Sequence, residues 1–267
     1  MNKYWSIFKI SFQQEFAYRL NFVMWRVRNV LQMLLIFFLW STVFSDPSRN
    51  LFGYDRARIL TYVFGILIVK AIVLSARGVD VAHEIARGEL TNYLLKPVNY
   101  FRYWLTRDLS SKSLNLVFAV FEFSILFIIL RPQFFFQTNI FNLIAFVGAL
   151  IIGILLYFTI LFVTSAVAFW TPEMAWGTQF FVIVVIIEFL SGGLFPIDIL
   201  PVGLQNFLYL TPFPYLIFFP LQVYLGKFSF LFIARGLIVS IVWVVILWII
   251  MKSVWAKGVK IYRAEGR

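Results

Sequence analysis

Cysteine is absent, which excludes disulfides, thiolate metal sites and a thiol nucleophile. A membrane chain needs no staples, so the absence does not identify a compartment. Histidine occurs once, as His83, and zinc or di-iron chemistry built on several imidazoles is closed off. Charge is scarce: 13% of the residues are Asp, Glu, Lys or Arg, against roughly 25% in a soluble domain. The phosphate loop G-x-x-x-x-G-K-S/T is missing throughout, so ATP is not bound by that route. The opening stretch MNKYWSIFKISFQQEF has no continuous apolar run and no small-residue cleavage site; no cleaved signal peptide is expected.

What is abundant is apolar surface. Hydrophobic residues make up 62% of the chain and aromatics 20%. So few charges cannot cover so much apolar area in water, and lipid is the natural solvent for the excess. Six apolar stretches, near residues 25–44, 59–75, 114–130, 141–170, 179–195 and 230–251, approach the ~17–25 residues that cross a bilayer core. The expected fold is all-α: one polytopic membrane domain, residues 1–267, with six transmembrane helices. The formal net charge is +11. Because the basic residues sit at helix ends and in loops, they point to topology and lipid headgroups rather than nucleic acid.

Their distribution sets an orientation. With the N-terminus in the cytoplasm, most of the Lys and Arg fall on that side. They are Lys3, Lys9, Arg19, Arg26, Arg28, Arg77, Arg87, Lys96, Arg102, Arg107, Lys112, Lys252, Lys257, Lys260, Arg263 and Arg267. The outer side holds Arg49, Arg56, Arg58, Arg131, Lys227 and Arg235. The positive-inside rule then places both termini in the cytoplasm of a multi-pass cell-membrane protein.

Three connections carry information. Residues 1–24 place Trp5, Phe8, Phe12 and Phe16 on one helical stripe, which suits a helix lying on the inner membrane face. Residues 76–113 form the long cytoplasmic loop. Residues 191–230 read as an outer segment too apolar for a solvated loop. Pro196, Pro201, Pro212, Pro214 and Pro220 forbid one continuous helix there, so short re-entrant helices are expected.

In the cytoplasmic loop, Val81 and Ile85 precede Gly88, and Leu90, Tyr93 and Leu94 follow it. The spacing predicts two short amphipathic helices hinged at Gly88 and stopped at Pro97, with Glu84, Arg87, Glu89 and Lys96 on the solvent side. A rigid, charged element of this kind is something a soluble partner could grip; the plainer reading is an interfacial loop.

The stretch Ile85-Ala-Arg-Gly-Glu-Leu-Thr-Asn-Tyr-Leu-Leu-Lys-Pro resembles the loop of type-2 ATP-binding-cassette (ABC) exporter permeases between their second and third spans. Ser191-Gly-Gly-Leu-Phe-Pro-Ile-Asp-Ile-Leu-Pro and Thr211-Pro-Phe-Pro-Tyr are similar to that family's segment after the fifth span. The wording of the loop is similar to the less characterised permeases that often occur as two different chains. The resemblance implies a permease subunit of an ATP-driven exporter that forms the translocation pathway. It implies a second permease, identical or not, and a separate nucleotide-binding ATPase holding ATP and Mg. No cofactor is expected in this chain. Glu84, Arg87, Gly88, Glu89 and Leu90 map onto the coupling helix. Gly192, Gly193, Pro196, Pro201, Pro212 and Pro214 map onto the outer re-entrant cap.

Three ionisable residues fall inside spans: Lys70, Glu122 and Glu188. A charge at the bilayer centre costs ~2.5–3.5 kcal/mol on insertion scales, so such residues face the protein interior. Glu122 and Lys70 differ in depth by ~4.5 Å at ~1.5 Å per residue, which allows an ion pair; lining of a pathway is the alternative. Glu188 has no obvious partner. Trp5, Trp25, Trp40, Trp104, Trp170, Trp176 and Trp255 read as interfacial anchors. Arg235 reads as a snorkelling residue, and Glu173 as part of a turn or a second, smaller ATPase contact. Two other classes stay open. A channel or secondary transporter working without ATP needs more pathway charges. An enzyme on lipid-linked substrates needs clustered surface acids, for which Asp80, Glu84 and Glu89 are the candidates.

Overall fold

The computed structural model describes residues 3–17, 19–46 and 50–262; the side chains of 16, 17, 19–21 and 94 fall outside the description. Met1, Arg49, Arg263 and Arg267, and the side chains of Phe16, Arg19 and Leu94, therefore lie outside the described residues.

Among the described residues six helices are long and apolar enough to cross a membrane: Phe22–Val43, Arg56–Leu74, Tyr100–Leu130, Ile140–Phe169, Pro172–Leu190 and Phe230–Ile261. The chain is an all-α, multi-pass membrane protein. Polar side chains define several helix starts. Asp55 accepts the Arg58 N–H, Asn99 the Arg102 N–H and Asn139 the Phe141 N–H, each satisfying a donor the first turn leaves open. The second and fourth spans are the most buried and form the centre. Phe64 and Tyr157 of these spans pack with Phe37, Phe218 and Phe219 in one apolar core.

Two ends can be distinguished. The loop end holds the short helices Asp80–Ala86 and Thr91–Leu94. Both terminal helices reach it: the Ser110 hydroxyl donates to the Phe8 carbonyl at 3.1 Å, and Trp255 stacks on Tyr100 at 5.0 Å. The cap end holds the segment after the fifth span.

The third and sixth spans run further than their apolar stretches. The third starts at Tyr100 and has 31 residues, or about 46 Å at ~1.5 Å per residue, against a core of ~30 Å. Its first four turns therefore extend the bundle at the loop end, so residues 100–113 are helix, where the sequence suggested loop. The N-terminal helix Lys3–Ala17 lies along these turns. It buries Ser11 and Glu15 against the neighbour, while Trp5, Lys9 and Ile10 stay exposed.

The fifth span departs most from expectation. Its helix ends at Leu190, so Glu188 sits at its last turn rather than midway. Glu188 meets Lys70, which lies four residues from the loop end of the second span. The fifth helix thus stops deep in the bundle, and residues 191–201 cover the remaining distance as turns and a short 3-10 turn, Ile197–Ile199. Val202–Tyr209 and Phe218–Tyr224 follow, joined by a turn at Phe213–Tyr215 whose Tyr215 carbonyl dips back to Gly153, midway along the fourth span. The prolines open these elements: Pro201 precedes the first helix, Pro214 sits in the first turn of the dip and Pro220 in the first turn of the second helix.

Candidate functional site: a loop ridge, a ladder of buried ion pairs and a cap

At the loop end, Asp80–Ala86 turns its apolar face inward. Val81, Ala82 and Ile85 are buried against Phe158, Phe162, Phe169 and Trp255. Gly88 then adopts φ +77, a left-handed turn that a side chain or a proline ring resists. The turn reverses the chain so that His83, Arg87, Glu89 and Asn92 all remain exposed on one ridge.

One expectation for this loop needs correction. Glu84 is not on the solvent side. It is buried and accepts the Tyr100 hydroxyl at 2.8 Å, with Arg107 at 4.0 Å. Its carboxyl is held above the ordinary range, chiefly because burial disfavours the charge. Leu90 is fully buried in the same aromatic hub. Both residues therefore anchor the ridge from within. Tyr100, Trp104 and Trp255 line the hub as well, so Trp104 and Trp255 are packing residues and not interfacial anchors. Trp40 is likewise buried, whereas Trp25, Trp170 and Trp176 are exposed. The three surface acids do not gather: Asp80 faces Arg77 at 3.5 Å, Glu84 is inside and Glu89 points away alone.

From this ridge a series of buried polar contacts climbs into the spans. Arg77 clamps Glu15 of the N-terminal helix with two bonds of 2.7 Å, and its backbone N–H donates to Asp108 at 3.1 Å. Asp108 pairs with Lys112 at 3.2 Å. The Lys112 ammonium donates to the carbonyls of Val73 and Ser75, which end the second span in a π-helical turn, Lys70–Leu74. Next, Arg26 pairs with Glu122 and reaches Asn115. Above it, Lys70 donates to Glu188 at 2.6 Å and Gln32 donates to the same carboxylate at 2.8 Å.

The expected Glu122–Lys70 pair is thus not formed. Depth alone allowed it, but the first span interposes Arg26, whose planar fork satisfies both oxygens of Glu122. Lys70 is left to Glu188, brought within reach by the early end of the fifth helix. The sequence reading missed Arg26, Asn29 and Gln32 as a set. Their spacing of three residues along an apolar helix was the available signal, because it lines one face with polar groups.

Comparison with known families decides the class. The profile of ABC-2 family transporter proteins matches residues 30–266, nearly the whole chain. This chain belongs to the ABC-2 transporter family. It is the membrane-spanning permease component of an ABC transporter, a family that normally works with an ATPase subunit. Among curated proteins, none matches the chain.

The cap of this ABC-2 permease is tied down at the opposite end. Asp198 accepts the Tyr54 hydroxyl at 2.9 Å and pairs with Lys227 at 2.7 Å. Lys227 also lies over the Tyr54 ring, and Gln222 donates to the Tyr54 hydroxyl. Burial lowers the Lys227 ammonium from its ordinary value, and Asp198 opposes that shift. Deeper down, the Ser191 carbonyl accepts the Phe218 N–H at 2.9 Å and the Gly192 carbonyl accepts the Tyr62 hydroxyl at 2.7 Å. Gly193 presses directly on the ion pair: a Cβ there would stand 2.8 Å from a Glu188 oxygen and 3.2 Å from Lys70 Cε. Of the residues matched to the cap by resemblance, Gly192, Gly193, Pro196, Pro212 and Pro214 are buried and Pro201 is exposed.

Proposed function

We propose that this permease is an exporter driven by a separate ATP-hydrolysing subunit, which grips the exposed ridge of His83, Arg87 and Glu89. The observation that carries the reading is mechanical. The ridge is charged on its outer face and fastened on its inner face to the third, fourth and sixth spans through Glu84, Leu90 and the aromatic hub. Arg77, Asp108 and Lys112 extend the same attachment to the end of the second span and to the N-terminal helix. A force applied at the ridge reaches four spans without crossing a flexible linker.

Two permease subunits enclose the pathway in this reading, and both termini are cytoplasmic. Closure of the paired ATPases on ATP moves the two ridges. The spans then exchange between inward- and outward-open arrangements, biased by the different contacts each state makes. The polar face of Arg26, Asn29, Gln32, Lys70 and Glu188 is unsuited to lipid, which supports its lying toward the pathway and the second subunit. Glu173, exposed in the short turn at the same end, is a second, smaller contact. No bond chemistry is assigned to this chain.

The test is purification of the tagged chain from its native membrane in a mild detergent. A stoichiometric subunit carrying an ATP phosphate loop should co-purify. Transport by the chain alone in ATP-free vesicles would instead support a channel or secondary transporter.

A further inference from the structure

A small cleft of about 50 Å³ opens among the first five spans. Trp25, Arg28 and Asn29 line it from the first span; Lys70, Ala71, Leu74 and Ser75 from the second; Asn115, Tyr157, Ile183, Val184 and Glu188 complete the wall together with Arg26. Its charges do not cancel. Glu122 neutralises Arg26 and Glu188 neutralises Lys70, but Arg28, exposed at the mouth of the cleft, has no carboxylate partner among the described residues and leans on the Trp25 ring at 4.8 Å. Asn29 likewise makes no side-chain hydrogen bond among the described residues. The formal charges therefore leave one positive group in excess: Arg26, Lys70 and Arg28 are set against Glu122 and Glu188. Ala71, Leu74, Ile183 and Val184 add apolar surface to the lining.

A second observation marks the same place. The two π-helical segments of the chain's described spans, Lys70–Leu74 and Phe181–Ile187, both border this cleft. Such segments widen a helix at the cost of backbone hydrogen-bond geometry and concentrate at functional sites. Here they bring Lys70 and the apolar Ile183–Val184 pair to the lining of one opening.

We infer that the cleft binds an amphiphile with an anionic phosphate or carboxylate headgroup, the headgroup at Arg28 and Asn29 and the apolar chain along Ile183 and Val184. Planar guanidinium forks suit such oxyanions, and the adjoining apolar wall has no use for a free inorganic anion. Calling the occupant cargo rests on the permease reading; the site itself rests on the cleft. The headgroup enters beside Trp25 and meets Lys70 only after passing Arg28.

The test uses the purified full chain in neutral detergent, with no ATPase present, and counts bound amphiphile by native mass spectrometry. Dodecyl phosphate should bind saturably at one copy per chain, and dodecyltrimethylammonium should not. Arg28→Gln should weaken dodecyl phosphate about tenfold, the loss of one strong charged contact. Asn29→Leu should weaken it less, and Arg235→Gln, an exposed arginine outside the cleft, should leave it unchanged. Equal weakening by Arg28→Gln and Arg235→Gln would reduce the effect to general surface charge and overturn the proposal. So would equal binding of the cationic amphiphile, or displacement by inorganic phosphate at the same concentration as dodecyl phosphate. Because the assay contains no ATPase, failure of the coupling mechanism does not affect it, and a negative result here leaves that mechanism standing.

Discussion

Removing the Glu122 carboxylate leaves the Arg26 guanidinium buried without its counter-charge. Breaking a buried pair from one side typically costs about 3–5 kcal/mol, while replacing both partners by apolar groups is close to neutral. Glu122→Gln should therefore destabilise the protein by about 3 kcal/mol in chemical unfolding, and adding Arg26→Met should recover most of it. Lys70→Met should show no such recovery, since Lys70 belongs to Glu188. Additivity between Arg26 and Glu122 in the double-mutant cycle would contradict the pairing. Glu84 poses a different case, because burial raises its pKa from the ordinary 4.5. A carboxyl with a raised folded-state pKa holds its proton more tightly when folded. Its contribution is complete below about 4.5 and is lost as pH rises through the raised value. Glu84→Gln keeps an acceptor for Tyr100 and removes the charge. It should flatten the pH dependence of stability above 4.5 and leave the protein no less stable at neutral pH; a loss of stability there would contradict the assignment of burial as the cause.

At the scale of elements, the six spans were legible in the sequence because apolar length is a direct requirement of the bilayer. Their ends were less so. The third span continues to Tyr100 because protein, not lipid, surrounds its first turns, and Asp108, Ser110, Ser111 and Lys112 are buried there despite their polarity. Hydropathy reads that stretch as loop. The fifth helix ends at Leu190 because the Gly192–Gly193 turn and the Phe218 N–H take over its backbone, and no local pattern announces a partner 27 residues away. In the loop, apolar spacing located the buried face of Val81, Ile85 and Leu90, but Glu84 was read as solvent-facing and is buried, because spacing does not reveal a distant hydrogen-bond partner such as Tyr100. The Gly193 contact gives a test of this geometry. Gly193→Ala would push a methyl group into the Lys70–Glu188 pair and should destabilise the protein by about 1–3 kcal/mol, the usual cost of overpacking. Gly203→Ala, with open space around it and a helical backbone, should cause no loss of stability.

For the whole molecule, the arrangement is a bundle in which one end carries a charged ridge, the other a tied-down cap, and the middle a ladder of buried pairs. Reporter fusions at Lys96 and Lys227 should give cytoplasmic and external signals respectively, because the basic residues gather at the loop end. The central claim is that the ridge, fixed from within by Glu84 and Leu90, transmits ATPase motion to the spans. Glu89→Arg reverses a charge on an exposed loop residue, so insertion and expression should remain normal. The decisive measurement is the ATP-hydrolysis rate of the co-purified complex in reconstituted membranes, wild type against Glu89→Arg. A clear fall in rate, accompanied by loss of the ATPase from pull-downs, is the result this account predicts; wild-type rate and wild-type association would contradict it.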